Sequence, residues 1–177
     1  MMTIPDHAAE YTRADNAIRL LTFRLDALRG IVADLNTIDV TPGEDERTAQ
    51  TGFVNAAAAL ECVEILIRRE TARRDAAELA QQKRFHDRMA ELKQATGQDG
   101  RRLFAIPMAL SSRDAARLAL DRISFRQWLL DNGFTAPTLH WLANYACRDD
   151  YGMDYAQTSA WAGLHYFACR TGEAANA

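Results

Sequence analysis

Six apolar residues, Ile18, Leu21, Leu25, Leu28, Val32 and Leu35, recur at alternating steps of three and four, and that spacing constrains the first part of this chain more than any other feature. Side chains so placed form one stripe of a helix, and a narrow stripe of that kind packs on another helix. Gly30 is its one weak link. The segment NTIDVTPGEDE then stops the pattern with Asn36, Pro42 and Gly43, because proline has no backbone N–H to donate and glycine tolerates positive φ. The rhythm resumes with Phe53, Ala56, Leu60, Val63 and Ile67. Two antiparallel helices joined by a loop, an αα-hairpin, are the economical reading. Nothing on the hairpin resembles a catalytic set, and its apolar seam is suited to pairing with a second copy.

The character of the chain changes after about residue 75. Only Tyr11, Phe23 and Phe53 supply rings before residue 80, whereas all three tryptophans come later. The expected organisation is a helical hairpin over residues 1–75 followed by a second helical region over 76–177. A helical segment runs from Asp75 with Phe85, Met89 and Leu92 on one side and Gly97 as its stop, either separate from the second hairpin helix or continuous with it. LFAIPMALSS, broken by Pro107, reads as an edge strand or an extended connector. Ser111 with Asp114 resembles a capping pair for a helix from about Arg113 to Leu120.

Farther on, Phe125, Trp128 and Leu129 share one helical face that ends at Asn132-Gly133, and Pro137 suits the first turn of the next helix. DDYGMD breaks that helix, and QTSAWAGLHYFACR forms one more, with Trp161, Leu164 and either His165 or Phe167 turned inward. The fold class is therefore mainly α.

A net charge of −3 over 177 residues, with a pI near 5.8, provides no clustered positive field for nucleic acid or an anionic membrane surface. The arginine-rich IRRETARR is balanced by neighbouring acids and reads as a solvated helix face. The N-terminus carries acids and a proline and no unbroken apolar run, so neither a secretory leader nor a spanning helix is expected, and the cytoplasm is the default location.

Cys62, Cys147 and Cys169 show no paired spacing, so neither a disulfide framework nor a zinc knuckle is indicated. His140, Cys147, Asp149, Asp150, His165 and Cys169 are all of ligand type, but no pair has the i, i+4 histidine spacing of a helical metal site, and no metal is expected. Arg148 and Arg170 each follow a cysteine, yet neighbours on a helix point about 100° apart, so buried thiols are the simpler reading than nucleophiles. Gly163 inside a helix costs about 1 kcal/mol relative to alanine, which marks a close approach by a backbone or a ligand. The nine glycines never fall in a G-x-G pair, so no pyrophosphate cradle of the dinucleotide-binding kind is present in the sequence.

From about Glu78 to Arg170, the segments QQKRFHDRMAELKQATGQDGRRLFAIPMALSS, LALDRISFRQWLLDNGF, LHWLANYACRDDYG and TSAWAGLHYFACR resemble bacterial FAD-dependent oxidoreductases related to flavin-containing amine oxidases. The resemblance implies a helical part of the substrate-side domain. Trp161, His165 and Tyr166 would face the substrate pocket or the flavin, and Asp149, Asp150 and Tyr151 would hold the preceding turn. It also implies FAD chemistry. Without the glycine fingerprint this chain is not expected to bind FAD alone, and the expectation is a partial, inactive homologue that needs a complementary flavin-binding subunit. The alternative of a different class is a helical interaction or oligomerisation module without catalysis.

Overall fold

The computed structural model describes residues 6–37 and 44–170. The proposed turn at Pro42 and Gly43 and the C-terminal tail lie outside the described residues, as do the side chains of Leu35, Asn36 and Phe53. Among the described residues the chain is mainly helical: α1 (His7–Thr37), α2 (Glu44–Gln94), α3 (Ala115–Leu118), α4 (Phe125–Asp131), α5 (Pro137–Tyr151) and α6 (Ala160–Ala168). Its contacts divide into two compact units, Met1–Ala77 and Glu78–Ala177, and α2 contributes to both.

In the first unit α1 and α2 run antiparallel. Arg29 of α1 reaches Glu64 of α2 at 3.4 Å, while Arg74, farther along α2, feels the charges of Tyr11 and Asp15 near the start of α1. The seam is thin. Among the described residues of this unit, Leu25 is the one large side chain that is nearly shielded, at 7% exposure, and its buried companions are Ala14 and Ala77.

The second helical segment read from Asp75 is continuous with the hairpin's second helix. Nothing in IRRETARRDAAEL breaks a helix, since it has no Pro, no Gly and many good helix formers. In the second unit Phe85, Met89 and Leu92 of α2 are buried with Leu103, Phe104, Phe125, Leu129 and Leu164 in one cluster. LFAIPMALSS is a connector, with a 3-10 turn at Met108–Leu110 and only isolated bridges nearby.

Ser111 and Asp114 do not form the expected cap. Ser111 Oγ accepts from Ala105 N at 2.9 Å, and Asp114 Oδ2 accepts from Gln98 N at 2.7 Å, so both side chains serve the preceding loop. Helix α3 is correspondingly short, from Ala115 to Leu118, and continues as a 3-10 turn over Ala119–Arg122. By contrast, Ser124 and Ser159 do cap α4 and α6, each accepting a backbone N–H three residues on.

The remaining helix ends follow local chemistry. Gly133 after α4 and Gly152 after α5 take φ values of 69° and 63°, which suits residues without a Cβ. Arg84 of α2 donates to the carbonyls of Asn132 and Gly133 at 3.1 and 2.7 Å, satisfying acceptors that α4 leaves open. At the start of α5 the deeply buried Gln81 performs the opposite service: its Oε1 accepts from Thr135 N and Ala136 N at 2.7 and 2.9 Å. These two side chains of α2 fix where α5 begins.

Candidate functional site

The residues singled out from the sequence separate into two environments. Trp161 and His165, one turn apart on α6, stack at 5.0 Å between ring centroids and sit beside Phe104 in the core. His165 Nε2 lies 2.9 Å from the Ala105 carbonyl oxygen. A carbonyl only accepts, so that nitrogen carries the proton and ties α6 to the connector. Trp161 Nε1 is shielded and has no hydrogen-bond partner among the described residues.

Tyr166 points elsewhere. Its ring is half-buried and lies under the Arg170 guanidinium, 4.1 Å from the ring centroid. Arg170 also reaches Asp150 at 3.2 Å, joining the end of α6 to the end of α5. Asp149 is exposed, and Tyr151 donates its hydroxyl to the Ala162 carbonyl at 2.9 Å. Asp150 and Tyr151 thus link α5 to α6, while Trp161, His165 and Tyr166 do not converge on one cavity.

Burial, and then the neighbouring Asp150, push the Tyr151 phenol up to about 12. The neutral, donating form is the one that fits the fold. A folded-state pKa above the usual tyrosine value of about 10 means that its stabilising contribution is complete below pH ~10 and is lost as pH rises through about 12. Tyr151→Phe is expected to flatten this alkaline loss of stability, measured by urea unfolding between pH ~9 and ~12; an unchanged profile would reject the assignment.

Burial also raises the thiols of Cys147 and Cys169, whereas Cys62 lies exposed on α2. Alkylation with iodoacetamide at neutral pH, in solution dilute enough to keep the chain monomeric and followed by peptide mass spectrometry, should label Cys62 about 100-fold faster than either buried thiol. Rapid labelling of Cys147 in the folded chain would contradict this. The other ligand-type side chains are also engaged structurally: His140 bonds the Phe134 carbonyl through Nε2 and Tyr155 Oη through Nδ1. Among the described residues no three His, Cys, Asp or Glu side chains gather to hold a metal ion.

A groove of about 840 Å³ opens between the last turns of α2, the first turns of α5 and the end of α6. Phe85 and Met89 lie buried at its floor, and Trp141 stands on its α5 side with 68% exposure. His86, Lys93 and Arg170 are among its lining residues, and Glu78 accepts from the hydroxyl of Thr138, another of them. Of the residues singled out from the sequence, only Tyr166 is part of it.

The groove was partly readable in the chain. Its α2 lining from Gln82 to Gln94 recurs at alternating steps of three and one, which is one face of a helix. On α5, Leu139, Ala143, Ala146 and Cys147 are buried, which turns Trp141 and Tyr145 outward as a stacked pair 5.6 Å apart. Joining these stripes required knowing that α5 and α6 return to α2.

Comparison with protein-family models, curated proteins and solved structures finds no match to this chain. Among the described residues there is no strand. None of the helices described is long and apolar enough to cross a membrane.

Proposed function

We propose that this chain is a helical interaction module without catalysis, and that its N-terminal hairpin pairs with the hairpin of a second copy. The observation that supports this reading is how few of the hairpin's described side chains are buried. Helix α1 leaves Leu20, Phe23, Ala27 and Ile31 exposed at steps of three, four and four, with Phe23 at 74% exposure. Val54, Ala58, Cys62 and Ile65 form a comparable outward stripe on α2.

Two helices bury only one stripe each against one another. Four helices, two from each copy, bury a second stripe on every member, which is the usual solution for an amphipathic hairpin. Fully shielding a side chain such as Phe23 or Leu20 contributes about 1.5–3 kcal/mol, and the stripe holds several such residues.

Light scattering coupled to size exclusion should give about twice the 19.8 kDa of one chain. The double substitution Leu20→Glu/Phe23→Glu should return the mass to that of a monomer and lower the helix signal. A monomer at the highest soluble concentration, or a dimer indifferent to the double substitution, would overturn the proposal. The module needs no flavin, so chain incubated with FAD should stay colourless after desalting; a stoichiometric yellow complex would favour the oxidoreductase-fragment reading instead.

A further inference from the structure

The charges of the hairpin are sorted along its length, and the sorting constrains how a second copy can lie on it. Arg29 meets Glu64, and Arg74 feels Tyr11 and Asp15, so Leu25 of α1 and Ile65 of α2 stand near mid-length. The half that includes the junction of the two helices, residues 26–65, carries eight acids and two arginines, a net charge of −6. The open half, residues 1–24 and 66–77, carries five acids and seven arginines, a net charge of +2. Ion pairs within a copy, such as Arg19 with Asp15 and Arg73 with Glu70, are already inside these totals and leave them unchanged.

Two arrangements bring the exposed stripes of two hairpins together. With both copies pointing the same way, the −6 halves lie side by side and so do the +2 halves. Like charge then meets like along the whole contact. With the copies pointing opposite ways, each −6 half lies on a +2 half. A two-fold axis closes either arrangement, so closure does not choose between them and charge does. Charge around an apolar contact fixes orientation more than it adds affinity, and repulsion in the wrong arrangement is what excludes it.

We infer that the second copy lies antiparallel to the first, its acidic junction half over the basic open half. The inference rests on the pairing proposed above and adds its direction. The two-fold axis then crosses near the middle of the Leu20–Ile31 stripe, so apolar surface still meets apolar surface at the centre.

The test is a distance between the two copies in the full-length protein. A spin label is attached at Thr12→Cys, an exposed, uncharged position near the start of α1, in a Cys62→Ser background where the remaining thiols are buried. Thr12 lies about thirteen residues from the middle of the stripe, so antiparallel copies hold the labels about 40 Å apart at the helical rise. Parallel copies hold them at one level, about 20 Å apart or less. Double electron–electron resonance should give the long distance.

A second variant tests the cause. Arg68→Gln/Arg69→Gln changes two exposed side chains and takes the open half from +2 to neutral. At low ionic strength, where screening is weak, the dimer Kd should rise about 3-fold or more. Circular dichroism of both variants at monomeric concentration separates a folding defect from lost pairing. A dimer with the short distance would overturn the inference and leave the pairing standing. An unchanged or tighter dimer in Arg68→Gln/Arg69→Gln would show that charge does not set the direction, which also overturns it. A chain that stays monomeric removes the pairing itself, and this inference with it.

Discussion

Truncating Phe125 to alanine is expected to lower the unfolding free energy by about 3–5 kcal/mol, and to lessen the cost of a second substitution at Gly163. Phe125 opens α4, has no exposed surface, and lies against α6 where that helix has no side chain. A Cβ built on Gly163 would fall 2.3 Å from Phe125 Cγ and 2.9 Å from Phe125 Cβ. Those atoms are close to the backbone and cannot swing aside, so Gly163→Ala should cost about 1–3 kcal/mol from overpacking. The cost persists although alanine is the better helix former by about 1 kcal/mol.

Once Phe125 is alanine the two ring contacts are gone and only the Cβ at 2.9 Å remains. Gly163→Ala should then cost at least about 1 kcal/mol less than in the parent, through the relieved ring contact and partial filling of the cavity. Urea titrations of the parent, both single variants and the double variant, followed by tryptophan emission, form the cycle that measures this coupling. All three tryptophans lie after residue 80, so the signal reports the second unit. Equal costs for Gly163→Ala in both backgrounds would show that the ring is not what requires the glycine.

Gln81→Met is the second large effect, expected at about 2–4 kcal/mol from two stranded backbone donors. Thr135 N and Ala136 N precede α5, where Ala136 occupies the cap position and has no oxygen of its own to offer. Gln81 Oε1 accepts from both, and Nε2 adds a longer contact to Thr135 Oγ1 at 3.4 Å. Methionine preserves the length of the side chain and removes the acceptor, so lost hydrogen bonding rather than lost packing is what the substitution reads.

Gln82→Met is the control. Gln82 makes one side-chain bond, to Thr138 Oγ1 at 2.8 Å, at a more exposed position, and its loss should cost about 1 kcal/mol or less. Amide exchange at residues 135 and 136 should accelerate in Gln81→Met and stay slow in Gln82→Met.

The helices were legible wherever the pattern is local. Apolar steps of three and four marked α1, and the interruption at Asn132-Gly133 and the proline at 137 marked the junction of α4 and α5. The continuity of α2 was equally a local matter, since no residue between Ile67 and Asp75 opposes a helix. Where two partners compete for one polar side chain, the pattern was not enough. Ser111 and Asp114 have the chemistry of a cap but bond to Ala105 and Gln98, because the loop they support passes closer than the helix end.

Gly163 shows the same boundary within a single residue. Its cost in a helix reads in the sequence as a close approach by a backbone or a ligand, and the fold places a side chain there instead, the ring of Phe125.

Taken alone, the amino-acid order determined that this chain is helical, where most helices start and stop, and which side chains share a stripe, because those properties depend on neighbours within about four positions. Which stripe became interior was decided only by tertiary structure. Trp161 and Trp141 are both helical tryptophans, yet one is enclosed beside Phe104 and the other stands at the lip of a groove. The difference comes from contacts that span more than fifty residues, such as Gln81 to Thr135 and His165 to Ala105, and no helical period encodes which distant segment will arrive.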